Sequence, residues 1–197
     1  MGKSETKKQL IIESAAILFN EKGIAGTSVD DIIAATDTSK GCFYGHFESK
    51  EELSFASVDY LFDKMTGRRN TALDKHVKAV DKIHAFMDMN KNPLKSYFKG
   101  GCPIINLSTE SDDTNSTIKK KVKTMINTAI SQFTLILQSG IDRGELSENL
   151  APAEFANKMF VSIEGANAIC RVLNSAGPMR LVIDSLKKEL ASYTLTP

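Results

Sequence analysis

Three cysteines (Cys42, Cys102, Cys170) and three histidines (His46, His76, His84) are the residues of this 197-residue chain best suited to nucleophilic or metal chemistry. Cys42 and His46 share the run TSKGCFYGHF (38–47) with two glycines and three aromatics. A thiol beside an imidazole begins a nucleophilic site, but such a site also needs a group to orient the base. No acid or second ligand is spaced to complete one here. The histidines show no HxxxH or HExxH spacing and the cysteines no CxxC pair, so neither a metal nor a cofactor is expected. Cys102, in GGCPIINLSTES, is the more reactive candidate. It stands just ahead of Pro103 at an expected helix N-terminus, where a thiol pKa falls. With His84 as base it supports an alternative reading, a cysteine-based enzyme or electrophile-scavenging helical protein, again without an identifiable orienting acid.

The bulk properties narrow the classes. Hydrophobic residues make up 42% and charged residues 25%, an ordinary globular composition with enough apolar material for one or two cores. No apolar run approaches the ~20 residues of a membrane-spanning helix. The charged N-terminus lacks a signal-peptide core, and three scattered cysteines suit a reducing compartment, so a cytoplasmic protein is expected. Net charge is +1, and residues 1–54 hold six lysines against nine acids, a net −3. Nucleic-acid binding by that segment would have to use a local patch rather than bulk charge.

The elements that would position these residues are helices almost throughout. Ile11, Ile12, Ala15, Leu18 and Phe19 form one stripe of an amphipathic helix over 6–22, with Gly23 as its C′ residue. Thr27 reads as the N-cap of a short helix with Val29, Ile32 and Ile33 inside. Ser39 reads as the cap of a second, running to about His46, with Phe43 and Phe47 inside. Ser49 and Glu52 form a capping box opening a long helix to about Thr71. Turn signals at NKNP, KGGCP and GP separate further helices, a 3.6-residue apolar period runs from Ile118 to Gly140, and Pro152 suits a helix N1 position. About nine helices are predicted in total.

Two short helices joined by a tight turn and braced by a first amphipathic helix form a helix-turn-helix. Residues 10–55 resemble the DNA-binding domain of the TetR/AcrR family of transcriptional regulators. The resemblance is carried by ILFNEKGIAGTSVDDIIAATDTSKGCFYGHFESKEEL (17–53). Its parts are the glycine turn, Thr-Ser-Val, a Ser-Lys-Gly-x-aromatic-Tyr-x-His-Phe helix and Ser-Lys-Glu-x-Leu. Asp37 and Gly45 depart from the pattern. The resemblance implies an all-α protein: a three-helix DNA-binding domain (1–50) followed by a helical effector-binding and dimerisation domain (51–197). It also implies a repressor that binds a palindromic operator in double-stranded DNA as a homodimer and is released by a small-molecule effector.

Expected DNA contacts are Thr27 and Ser28 at one helix start, Ser39, Lys40, Gly41, Cys42, Tyr44 and His46 on the recognition helix, and Lys50 at the next helix. Small residues thin the outer face, Lys40 reaches a guanine edge or phosphate, and Tyr44 and His46 donate to phosphate. The lysine-rich KKKVK at 119–123 reads as a solvated helix face. A helical adaptor that has lost DNA binding is disfavoured by the intact Lys40, Tyr44, His46 and Lys50.

The segment 155–173 is apolar on two faces: Phe155, Met159, Ile163, Ala166, Cys170 and Leu173 on one, Phe160, Val161, Ala168 and Val172 on the other. With a stripe of Met179, Val182, Ile183, Leu186 and Leu190 on the last helix, it suits a homodimer through the last two helices. Candidates for an effector cavity are Phe62, Met65, His84, Met87, Phe98, Cys102, Met125 and Phe133. The run after Cys102 also resembles an electrophile-responsive subgroup of the family, which implies Arg171 as a partner of the Cys102 thiolate.

Overall fold

The computed structural model describes residues 3–195, which are helical almost throughout, as expected. The described helices are α1 (Lys3–Lys22), α2 (Val29–Thr36), α3 (Lys40–Tyr44), α4 (Lys50–Leu73), α5 (Ala79–Met89), α6 (Pro103–Ser111), α7 (Ser116–Asp142), α8 (Pro152–Val172) and α9 (Gly177–Ser192). A 3-10 turn spans Pro93–Lys95, and Leu146 and Thr194 form an isolated antiparallel bridge.

Packing divides the chain into two units whose cuts differ from the expected division after residue 50. The first runs to Met65 and resumes over Tyr97–Lys123; the second takes Thr66–Ser96 and resumes at Thr124. Helix α6 thus joins the amino-terminal helices, a grouping that no local pattern in the sequence announces.

The first unit is built on one apolar cluster. Ile11, Ala15 and Phe19 from α1 meet Ile32 from α2, Phe43 and Phe47 from α3 and its exit, and Leu53 from α4, each at most 2% exposed. Removing a ring such as Phe43 from water stabilises the fold by about 1.5–3 kcal/mol. The turns follow from local chemistry. Gly23 closes α1 with φ +80 and donates its N–H to Phe19 O at 3.0 Å. Asp37, where the family pattern often has glycine, takes the left-handed conformation (φ 50, ψ 42) that Asp tolerates better than most side chains. Ser39 caps α3 by accepting the Cys42 N–H at 3.1 Å, and α3 stops at Tyr44, short of the expected His46.

The cap of α2 is a correction: Ser28, not Thr27, fills it. The Ser28 hydroxyl accepts the Asp31 N–H (3.0 Å), and the Asp31 carboxylate accepts the Ser28 N–H (2.8 Å), a complete capping box. Thr27 is 1% exposed, and its hydroxyl donates inward to Gly23 O at 2.7 Å.

Helix α6 clamps the α1–α2 turn within the same unit. The Glu110 carboxylate accepts the N–H groups of Ile24 (3.0 Å) and Ala25 (2.8 Å). Asn106 Nδ2 donates to Asn20 O at 2.9 Å, and Asn20 Nδ2 donates to Gly101 O at 3.1 Å. Gly100 (φ +86) lies so close that a Cβ there would meet Asn20 O at 2.2 Å.

The second unit centres on α8 and α9. Phe155, Met159, Phe160, Ile163, Ala166 and Cys170 of α8 are buried, as are Met179, Ile183, Leu186 and Leu190 of α9. Cys170 is structural here, its Sγ accepting the Met179 N–H at 3.3 Å. Phe160, assigned from the sequence to the second face, turns inward with the first, whereas Leu173 is 61% exposed. Lys187 pairs with Asp88 at 2.8 Å, tying α9 to α5.

Candidate nucleic-acid interface

Helix α3 is five residues long, too short to be stable alone, and is held by its cap, by Phe43 and by the ring contacts of Phe43 with Phe47 and Tyr44. With Phe43 fully buried, Lys40, Gly41, Tyr44 and Gly45 are left exposed. Their spacing is one helical stripe. Tyr44 is 54% exposed, its ring edge-on to Phe43 at 5.1 Å. Lys40 forms an exposed ion pair with Asp30 at 3.1 Å, which links the start of α3 to the first turn of α2 near Ser28. Such a pair is worth little in water, so the ammonium is readily exchanged onto a phosphate. Ser28 and Ser39 are exposed and His46 is half-buried.

Three expected contacts stand differently. Thr27 is buried, so its hydroxyl shapes the turn and has no route to a phosphate. Lys50 is half-buried, and its ammonium donates to Ile24 O (2.8 Å) and Thr27 O (2.9 Å), bracing the α1–α2 turn from α4. Cys42 is half-buried and packs against the apolar cluster rather than standing on the outer stripe. The structure also places Lys8 over the Phe47 ring at 5.4 Å, and Asp30 on Lys40, neither foreseen. Glu110, Asn106 and Asn20 form the supporting clamp; their partners lie about 80 positions away, beyond the reach of any local pattern.

The expected effector residues fall in both units. In the first, Phe62 and Cys102 are buried and Met65 and Phe98 half-buried. Cys102 is the N-cap of α6 with Pro103 at N1, as expected. In the second, Met87 and Phe133 are fully buried and Met125 is 6% exposed. Phe133 packs on Phe86 with centroids 4.3 Å apart, and Met125 Sδ accepts from the Thr66 hydroxyl at 3.7 Å. These contacts are those of ordinary core residues. His84 is half-buried and its Nε2 has no hydrogen-bond partner among the described residues. Burial, then Lys187, push its pKa down, against Asp88 and Asp81. Arg171 is exposed in the last turn of α8.

A cavity of about 240 Å³ in the second unit has Leu73, Leu135 and Ile136 as its apolar lining, and Asp74, Lys82, Gln132, Ser139 and Arg143 as its polar one. None of the nine expected effector residues borders it. No group of three or more His, Cys, Asp or Glu among the described residues could hold a metal. No described helix is long and apolar enough to cross a membrane.

Two short helices joined by a tight turn and braced by a first helix are the helix-turn-helix arrangement of DNA-binding transcriptional regulators. Residues 11–56 match the family of bacterial regulatory proteins described as tetR, and residues 79–186 match the tetracyclin repressor-like C-terminal domain. A TetR transcriptional regulator from Chloroflexus aurantiacus J-10-FL superposes with a TM-score of 0.94 at 35% identity, over 98% of each chain. The HTH-type transcriptional repressor DhaR from Mycobacterium sp. strain GP1 is 25% identical over 173 residues, 87% of this chain and 86% of its own. The regulator CifR, in a cysteine-substituted form solved on a 26-base-pair operator duplex, shares the fold with a TM-score of 0.78 at 16% identity, over 91% of this chain and 94% of its own. The chain belongs to the TetR family of helix-turn-helix transcriptional regulators.

Proposed function

We propose that this protein is a homodimeric repressor that binds a palindromic operator and is released by a small-molecule effector. DNA reading falls to residues 1–50, and effector binding and dimerisation to 51–197. The observation that carries the reading is the exposed stripe Lys40–Gly41–Tyr44–Gly45 on a helix whose opposite side is sealed into the core. A thin, donor-bearing helix face suits a major groove, with Lys40 at a base edge or phosphate and Tyr44, His46, Ser28 and Ser39 on the backbone. Thr27 and Lys50 serve by holding the α1–α2 turn in place, and Cys42 by packing beneath the stripe.

Dimerisation is supported by a second surface. Along α8, Val161 (60%), Ile169 (53%) and Val172 (84%) are exposed with Gly165 between them, and Leu181 on α9 is 74% exposed. A run of exposed aliphatic side chains at helical spacing is covered in the functional molecule. A symmetric pair would set two α3 helices about 34 Å apart, one turn of DNA. An effector acts by binding more tightly to the form with unsuitable spacing.

Selection from random duplexes followed by a salt titration tests this. A palindromic site is expected, with log K falling by about 0.9 per log unit of salt for each phosphate neutralised. Enrichment of no preferred site would remove the reading.

A further inference from the structure

The second unit contains a buried cation with no counter-charge. Arg69, on α4, is 5% exposed. Its Nε donates to Gln132 Oε1 at 2.7 Å, and Gln132 Nε2 in turn donates to Asn70 Oδ1 at 2.9 Å. No carboxylate among the described residues lies within ion-pair distance of the guanidinium; the six ion pairs present involve other cations. Burial accordingly pushes its pKa down from the ordinary arginine value. Buried charges are normally paired, because the loss of hydration is otherwise uncompensated. Gln132 is neutral and satisfies one nitrogen of a group with five donors, while Asn70 serves only by holding Gln132.

Gln132 is also a wall of the cavity described above, as is Leu73, one helical turn beyond Arg69 on the same face of α4. Arg69 does not itself line the cavity; it is joined to it through the Gln132 side chain. The charged side chains on the cavity are two cations, Lys82 and Arg143, and one anion, Asp74. Arg143 is already held by Glu145 at 2.9 Å. With Arg69 the balance is positive, while Leu73, Leu135 and Ile136 supply apolar surface.

We propose that this cavity takes a small organic carboxylate, its apolar body against Leu73, Leu135 and Ile136 and its carboxylate paired with Arg69, Gln132 turning aside or sharing the anion. A guanidinium offers two parallel donors to a planar carboxylate, a match no neutral amide or hydroxyl ligand reproduces. The inference rests on the effector reading and gives it a chemical class.

Titration calorimetry on the full-length protein tests it with hexanoate and benzoate, against hexanamide, benzamide and inorganic phosphate at constant ionic strength. The wild type should bind each carboxylate at least about tenfold more tightly than its amide, the fold-change of one charge-assisted hydrogen bond. In Arg69→Gln that preference should disappear. The ligand-free variant should melt at or above the wild-type Tm, because a buried unpaired charge opposes folding. Equal binding of carboxylate and amide, binding of none of them, retention of the preference in Arg69→Gln, phosphate binding as tight as the carboxylates', or a lower Tm for the variant would each overturn the inference. Operator release, measured separately by fluorescence anisotropy, separates the two readings. Arg69-dependent binding without release removes the effector role and leaves the site. Release that is equal in both proteins removes the site and leaves the effector role.

Discussion

Helices α3 and α8 hide and expose opposite things. In α3 the core takes the aromatic Phe43 and solvent meets Lys40, Gly41, Tyr44 and Gly45. In α8 the core takes seven residues from Phe155 to Cys170, and solvent still meets Val161, Ile169 and Val172. A helix that needs only its inner face for folding is free to use its outer face for recognition, and the chemistry left outside names the partner. Donors on a thin surface suit a phosphate-lined groove; aliphatic side chains suit another apolar surface.

The contrast breaks most severely at Phe43. Phe43→Ala should cost about 3–5 kcal/mol, the usual range for a buried phenylalanine, and abolish operator binding. The particle mass by sedimentation should stay that of a dimer, because α8 and α9 do not use Phe43. A mutant that becomes monomeric would show that the two surfaces are not separable.

Ile169→Asp attacks the other side. A charge placed in an apolar interface should weaken association by about 2 kcal/mol or more, while far-UV circular dichroism remains that of the folded chain. Operator affinity should fall with the dimer, and sedimentation should detect monomer. A dimer unchanged by this substitution would move the interface elsewhere.

Ser28→Ala should remove the α2 cap and cost about 1 kcal/mol by urea unfolding. The cap also carries a pH signature. The Asp31 carboxylate has its pKa lowered below 3.8, first by the Ser28 hydroxyl and then by the Ser28 N–H. A carboxylate depressed on folding stabilises above its unfolded pKa, and that contribution is lost as pH falls through the folded value. The stability difference between wild type and Ser28→Ala should therefore shrink in acid below about pH 4, where an ordinary aspartate takes up its proton.

Lys40→Ala should leave stability within about 0.5 kcal/mol, since Lys40 is exposed and its pair with Asp30 is solvated. If Lys40 sits on a phosphate, the slope of log K against log salt should fall by about 0.9. If it reads a base edge instead, repeated site selection should show relaxed preference at one operator position.

Much of the fold was legible because its signals are local. The Ile11–Ala15–Phe19 stripe, the Gly23 stop, the Ser39 cap and the Phe43–Phe47 pair each depend on neighbours within a turn or two. Thr27 shows the limit even of local signals. Thr and Ser stand side by side, both good caps, and the choice of Ser28 followed from which of the two the core buried. Lys50 shows a sharper limit, for a lysine at a helix start reads as a phosphate ligand until the carbonyls of Ile24 and Thr27 are found folded back upon it.

By itself the amino-acid order determined the helices, the Ser39 cap and the helix-turn-helix pattern, since each is settled by spacing at 3.6 residues per turn and by the side chains within it. Tertiary structure decided what depends on residues brought together from far apart. Glu110 and Asn106 clamp a turn more than 80 positions earlier, Arg69 meets Gln132 across 63 positions, and Lys50 is turned inward. The physical reason is that burial and the pairing of charges are properties of a packed neighbourhood, and no residue's own neighbourhood is written next to it in the chain.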